Sequence, residues 1–412
     1  MPSTDLVFQL SGTCNSYDWG QKGKGSLAAR LCAQTPGTNF VIDEEKIYSE
    51  MWFGDYPDFP ARVLSSGEPL ADHLKRNQEA LLGKKVVETL DAQLPYLPKI
   101  LSIGKALPLQ IHPNKDLATK LHQKDPDQFS DPNHKPEIAI ALSKFEVFAG
   151  WKPLSDITPL FTSISSLQGF VPSGTPTSWT DSTLREVTRN VLLASKSTVQ
   201  KVQDALASMK PADLGPTTNN AYILDLLPRL NEQYGPTDPG SLVALLCMNY
   251  LVLSPGDALY IPAGGIHAYL SGDIVECMAR SNNVLNVGCC PRAERNSIDM
   301  FCETLTFKTH SRDDVSLPKE KSGRGRNGKT GVYRPPLGEF DMLLTEVGAG
   351  EEEVIGKGEG PGVAIVTEGE GVLEGDGKTF DVKEGFIFFV APGVEVKWKS
   401  SKGPLQIFTT VV

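Results

Sequence analysis

Four residues from three separate stretches have the types and spacing of a metal site. Gln110 and His112 stand two apart in Leu107-Pro-Leu-Gln-Ile-His-Pro113, with Leu109 and Ile111 interleaved. On a strand, residues i and i+2 project from one face, so Gln110 and His112 point together while the apolar pair packs behind. Glu137 closes His134-Lys-Pro-Glu137 and runs at once into the strand signal Ile138-Ala-Ile-Ala-Leu142. His267 ends Pro255-Gly-Asp-Ala-Leu-Tyr-Ile-Pro-Ala-Gly-Gly-Ile-His267. Two imidazoles, one carboxylate and one amide oxygen suit a borderline divalent ion such as Zn²⁺. One anionic ligand leaves that ion formally positive and therefore useful as a Lewis acid. A closed structural zinc site more often uses cysteine thiolates, and none lies near these residues in sequence. The set favours a metal that faces substrate. Of the six histidines, His73 and His310 have no useful neighbours, His122 falls on a polar helix, and His134 lies in a loop beside Glu137.

Strands must position these ligands. Gly256, Pro262, Gly264 and His267 fill the cupin spacing G-x5-P-x-G-x2-H. In that pattern a tight turn, an inward strand (Ala258 to Ile261) and a second turn bring the histidine into a barrel interior. Gly369, Gly371, Gly385, Pro392 and Gly393 nearly repeat the arrangement in the tail, which holds no histidine, so a second barrel there is expected to be metal-free. The fold class expected is mainly β: two cupin-like jelly rolls with a helical insertion.

Elsewhere the chain reads as follows. Leu6 to Leu10 is a strand entering the aromatic turn Tyr17-Asp-Trp-Gly20, and Tyr48 to Gly54 is an aromatic cluster expected in the core. Leu74 to Leu90 has helical spacing, with Gly83 weakening its middle. Tyr96 to Leu109 is apolar apart from Lys99 and Lys105, which solvation or snorkelling alone would explain. Asp116 to Gln123 suits a short helix. Helical spacing returns in Leu184–Met209 and Ala221–Leu230, inside a block that packs without chemistry. Strand signals resume at Leu242 and continue to Val287. The tail from Gly338 alternates like strands, as in Phe386–Val390. Gly323-Arg-Gly-Arg-Asn-Gly-Lys-Thr330 satisfies the P-loop pattern. It is rejected, because no strand is expected before it and no helix after it to converge amides on a phosphate.

Composition narrows the class. A hydrophobic fraction of 40% and a charged fraction of 22% are ordinary for globular domains. No apolar run reaches the roughly 18 residues that cross a bilayer, and Met-Pro-Ser-Thr-Asp lacks the features of a signal peptide. A cytoplasmic protein without a membrane partner is expected. Its seven cysteines are odd in number and, apart from Cys289-Cys290, scattered, which suits reduced thiols. A net charge of −10 argues against nucleic acid and leaves room for a local cationic pocket.

Several motifs together resemble type I phosphomannose isomerase. They are Tyr-Asp-Trp-Gly near the start, Lys105-Ala-Leu-Pro-Leu-Gln-Ile-His-Pro-Asn-Lys115, Asn133-His-Lys-Pro-Glu-Ile-Ala-Ile-Ala-Leu142, and His267-Ala-Tyr with Glu276-Cys-Met-Ala279. The resemblance runs over the whole chain. It implies interconversion of mannose 6-phosphate and fructose 6-phosphate with one Zn²⁺ per chain, on the route to GDP-mannose. It places the zinc ligands on Gln110, His112, Glu137 and His267, and two lysines of phosphate handling or proton transfer on Lys99 and Lys135. Trp19, Lys99 and Glu276 are the substrate-binding candidates. Aldose–ketose isomerisation through a cis-enediol asks for a cation at the oxygens and one base serving both carbons. Lys135 is the candidate for base or acid, since a neighbouring cation lowers a lysine pKa, and Lys99 is the phosphate contact.

The chain departs from the family on one strand. Ser281-Asn-Asn-Val-Leu-Asn-Val-Gly288 puts the family's aspartate on Asn282 and its catalytic arginine on Asn286. The family's lysine falls on Arg292, and its usual serine on Pro108. Asn286 lacks the fixed cationic fork of arginine, and Arg292 and Arg295 are the arginines that could compensate. The second reading is therefore a zinc-binding paralogue that binds a phosphosugar with weak or lost turnover. The expected boundaries are 1–152 with 240–310 for the zinc domain, 153–239 for the helical insertion, 311–335 for an exposed linker or loop, and 336–412 for the metal-free cupin-like domain.

Overall fold

The longest strand, His267–Ala279, is the spine of a ten-stranded sheet. Up to Ser271 it pairs with Phe145–Trp151, placing His267 across from Ala149. Beyond that it lies between Tyr96–Ile103 and Glu137–Ala141. The exchange of partners falls at Gly272, whose φ is +113°. A Cβ there would also sit 2.4 Å from the Lys144 carbonyl oxygen, so only glycine lets the strand serve both sets of neighbours. The register aligns the chemistry: His267 faces Gln110, and Glu276 has Lys99 on one side and Ala139 on the other. The computed structural model describes residues 5–214, 220–309 and 311–412; His310 lies outside the described residues.

Helices gather on one flank. Leu154–Ser163, Asp181–Leu192, Lys196–Ala207 and Tyr222–Tyr234 bury apolar faces in a shared core with Trp151 and Phe148. The 184–209 pattern is two helices, because Ser195 caps the second through the Thr198 N–H. The strand expected from Leu242 is instead the end of a helix, Pro239–Cys247. A short apolar run fits a buried strand or a buried helix equally well. Asp238 as N-cap and Pro239 at the first position decide for the helix, all nine residues of which are buried. The 74–90 pattern also divides, into Leu70–Arg76, Gln78–Leu82 and Lys84–Thr89, with breaks at Asn77 and Gly83.

Two further sheets build the tail. The first has eight strands and includes Asp341–Val347, Leu405–Val411, Gly362–Glu368 and Ile387–Val390. Val7–Ser11 joins it beside Ile387–Val390, so the first strand of the chain belongs to the tail's sheet. The second has four strands, and Leu343, Leu373, Phe388 and Trp398 fill the core they share. Residues 311–335, expected as a linker or loop, are ordered into this assembly. Arg312–Val315 is a helical turn, and Lys319–Lys321 and Thr330–Tyr333 form a hairpin on the edge of the eight-stranded sheet. A strand therefore does precede the P-loop-like motif, but a strand also follows it. The Asn327 and Lys329 amides donate to Glu353 at 2.7 and 2.6 Å, so a carboxylate occupies the place a phosphate would take. No helix among the described residues is long and apolar enough to cross a membrane.

Candidate active site

His112, Glu137 and His267 meet at the end of the spine strand, with their ligand atoms all within 4.8 Å of one another. All three are buried. The His112 Nδ1 lies 2.7 Å from the Asn283 carbonyl and the His267 Nδ1 lies 3.0 Å from the Gly265 carbonyl. A carbonyl only accepts, so each ring carries its proton on Nδ1 and turns a bare Nε2 lone pair inward. Those Nε2 atoms stand 3.5 and 3.2 Å from the Glu137 carboxylate, yet neither has a hydrogen-bond partner. Buried acceptors facing a buried carboxylate repel one another unless a cation lies between them. The donor set therefore fits a divalent ion. Burial, reinforced by Lys135, pushes the His112 pKa down to about 4, which keeps it a neutral ligand. Tyr269 donates at 2.7 Å to Glu137 Oε1, the oxygen that faces His267. Gln110, directly across from His267, extends the set toward solvent.

Of this set, Gln110 and Glu137 line a cavity of about 470 Å³. Lys99, Lys135 and Glu276 line it, and each is at most 8% exposed. Lys99 is held between Glu50 at 3.6 Å and Glu276 at 3.8 Å, over the Trp52 ring. Lys135 has no ion-pair partner among the described residues. Burial lowers its pKa against the pull of Glu137, and the nearby Lys99 charge lowers it further. Burial, then Glu137, pushes Glu276 up to about 8, so near neutral pH it is a proton-bearing acid. One unpaired amine, one fixed cation and one protonated carboxyl thus share a cavity with an incipient metal site.

Residues 7–154 match the family described as phosphomannose isomerase type I, catalytic domain. Over 98% of its length the chain is 37% identical to a mannose-6-phosphate isomerase of Cryptococcus neoformans, covering 99% of that protein. It is 32% identical to one from Schizosaccharomyces pombe, with 98% of each chain covered. The chain belongs to the type I phosphomannose isomerase family. Among solved structures it is similar to a variant of phosphomannose isomerase from Salmonella typhimurium, with a TM-score of 0.80, 26% identity, and 98% and 99% of the two chains covered. A zinc-bound mannose 6-phosphate isomerase matches with a TM-score of 0.79 and 25% identity over the same shares.

Against the phosphomannose isomerase pattern, the structure brings most of the expected residues together. Trp19, Lys99, Gln110, Lys135, Glu137 and Glu276 all line the cavity, and so does Asn286. Asn286 lies across from Gln110, and its Oδ1 is buried without a partner. Arg292 does not join them. It is exposed on the short turn Arg292–Glu294 and is absent from the cavity lining. Arg295 is already committed to Asp238 and to the Cys290 carbonyl, so neither arginine replaces the missing fork. Asn282 donates to Asp58 at 3.1 Å. His134, read beside Glu137, turns away to pair with Glu339 at 2.6 Å.

Glu50, Trp52, Tyr269 and the Asn283 carbonyl escaped sequence reading. Glu50 and Trp52 sat in a cluster taken for core, though a single carboxylate in an aromatic strand was a usable signal. From the helical block, Tyr234 at the end of its helix also lines the cavity.

Proposed function

We propose that the cavity isomerises mannose 6-phosphate and fructose 6-phosphate with one zinc held by Gln110, His112, Glu137 and His267. The observation that carries this reading is the pair of buried, unpartnered Nε2 atoms facing Glu137, a carboxylate that lines a cavity together with the unpaired Lys135. Zinc, when bound, supplies Lewis-acid polarisation worth several kcal/mol at the sugar oxygens. Lys135 takes the proton from one carbon and returns it to its neighbour on the same face, through a cis-enediol, aided by a pKa already lowered by burial. Lys99, fixed by Glu50 and Glu276, supplies the cation for the phosphate end. Glu276, protonated near neutral pH, hydrogen-bonds a sugar hydroxyl, and Trp19 covers the ring. The product feeds GDP-mannose formation in the cytoplasm. We read the zinc-bearing strands and the histidine-free tail as two cupin-like barrels, with the helical block inserted in the first.

A second reading rests on Asn286. With no guanidinium at that place in the cavity, the chain would be a zinc-binding phosphosugar receptor of weak turnover. A coupled assay of mannose 6-phosphate isomerisation, run on zinc-loaded and chelator-treated protein, separates the two. Chelator-sensitive turnover supports the isomerase. Phosphosugar binding without turnover in either sample rejects it in favour of the receptor.

A further inference from the structure

One wall of the cavity is the turn Cys289-Cys290-Pro291, and it is held from outside the cavity. Cys289 has φ of +51°, a left-handed conformation disfavoured for any residue that carries a β-carbon. The Cys289 N–H donates to both Asp238 oxygens, at 3.2 and 3.3 Å. Arg295 donates to the Cys290 carbonyl through Nε at 3.2 Å and Nη2 at 2.9 Å, and Nη2 also pairs with Asp238. The same Asp238 carboxylate caps the Pro239–Cys247 helix through the Ser241 N–H at 3.0 Å. That helix presses on the strand leading into the turn. A Cβ added at Gly240 would lie 2.5 Å from the Gly288 Cα, and one at Gly288 would lie 2.4 Å from the Gly240 Cα. Further along, the Asn286 N–H donates to the Asn296 side chain at 2.7 Å, and the Asn296 N–H returns a bond to the Asn286 carbonyl at 2.8 Å. Neither Asp238 nor Arg295 lines the cavity.

We propose that Asp238 and Arg295 are positioning residues that clamp the Cys289–Pro291 wall against the substrate. They act through the backbone of a strained turn and touch no reacting atom. Arg295 thus serves the shape of the wall, and the cavity lining carries no arginine. A buried carboxylate deprived of its cation is costly, so loss of Arg295 should release the turn. The inference concerns substrate binding and to that extent rests on the proposed function; exposure of the turn does not.

Arg295→Met and Arg295→Lys in the full chain test it with two readouts. Cys290, 4% exposed in the folded chain, should resist a thiol-specific reagent. In Arg295→Met, native labelling of Cys290, located by mass spectrometry, should accelerate about tenfold or more as the turn opens locally. KM for mannose 6-phosphate should rise roughly fivefold while kcat and zinc content hold, the pattern of lost uniform binding. Arg295→Lys should recover part of the protection. If Arg295→Met fails to fold, Arg295→Lys against Arg295→Gln must still rank by labelling rate. Unchanged Cys290 labelling, or zinc loss from a folded variant, overturns the clamp. Should wild type show no turnover, the proposed function fails, and the labelling ratio still decides the clamp.

Discussion

The two halves of the molecule use inward-facing strand positions in opposite ways. In the tail, Leu343, Leu373, Phe388 and Trp398 close the space between the eight- and four-stranded sheets with apolar side chains. Around the spine strand, equivalent inward positions carry Lys99, His112, Glu137, His267 and Glu276, all buried. Filling with hydrocarbon stabilises in proportion to the area removed from water. Filling with paired charge returns little net stability, because desolvation offsets the attraction. The lesson is a division of labour at these positions: in the tail they extend an apolar core, and around the spine strand they hold the charged groups of a reaction.

Substitutions can break or sharpen that contrast, and the largest effect belongs at the metal ligands. His267→Ala should abolish zinc binding by the purified chain, measured by elemental analysis. Its turnover should fall on the order of 10³-fold, the equivalent of several kcal/mol of lost charge stabilisation. Retained zinc at one equivalent would remove His267 from the ligand set. Next in size, Lys135→Met should cost roughly 10²–10⁴ in kcat, the range for a general base, with zinc content intact. Unchanged kcat would reassign the proton transfer.

In the tail the same style of change should act on stability alone. Trp398→Ala empties a side chain that is 1% exposed and should cost about 3–5 kcal/mol in urea unfolding, with kcat near wild type at temperatures where the variant is folded. A selective loss of kcat there would erase the contrast between the halves.

The smallest effect concerns the joint between helical block and sheet. Glu146 accepts from Ser271 at 2.5 Å, Tyr250 at 2.6 Å and Arg229 at 2.6 Å. Burial works to raise its pKa, but those donors lower it to about 2. A depressed carboxyl contributes stability above its unfolded value, near 4.5, and loses it as pH falls through the folded value. Glu146→Gln should therefore weaken the chain by about 1 kcal/mol near pH 7. The gap to wild type should narrow between pH 4.5 and about 2. Urea melts at pH 7, 4 and 3 read it, and a gap that widens in acid would contradict the sign.

Part of this organisation was legible in the sequence, because its signals are local. Alternation placed Gln110 beside His112, and the turn residues from Gly256 to Gly265 aimed His267. What escaped depends on register between distant segments. The neighbours that enclose Lys99, Glu276 and Trp52, come from the strands on either side of it. Leu242–Cys247 could serve as a buried strand or helix, and Asp238 with Pro239 decided the matter by capping. Residues 311–335 looked like loop because their strands are short and charged, as suits an exposed sheet edge. Arg292 and Arg295 were indistinguishable on paper; only the fold shows one in solvent and the other bound to Asp238.

The central claim is that one zinc, seated between His112, Glu137 and His267, converts this charged half from a liability into a catalyst. Titrating metal-free protein with zinc while following mannose 6-phosphate turnover tests it most directly. Turnover should rise linearly from near zero and reach its plateau at one equivalent per chain. Full turnover before zinc is added, or a saturated site with no turnover, would contradict the account.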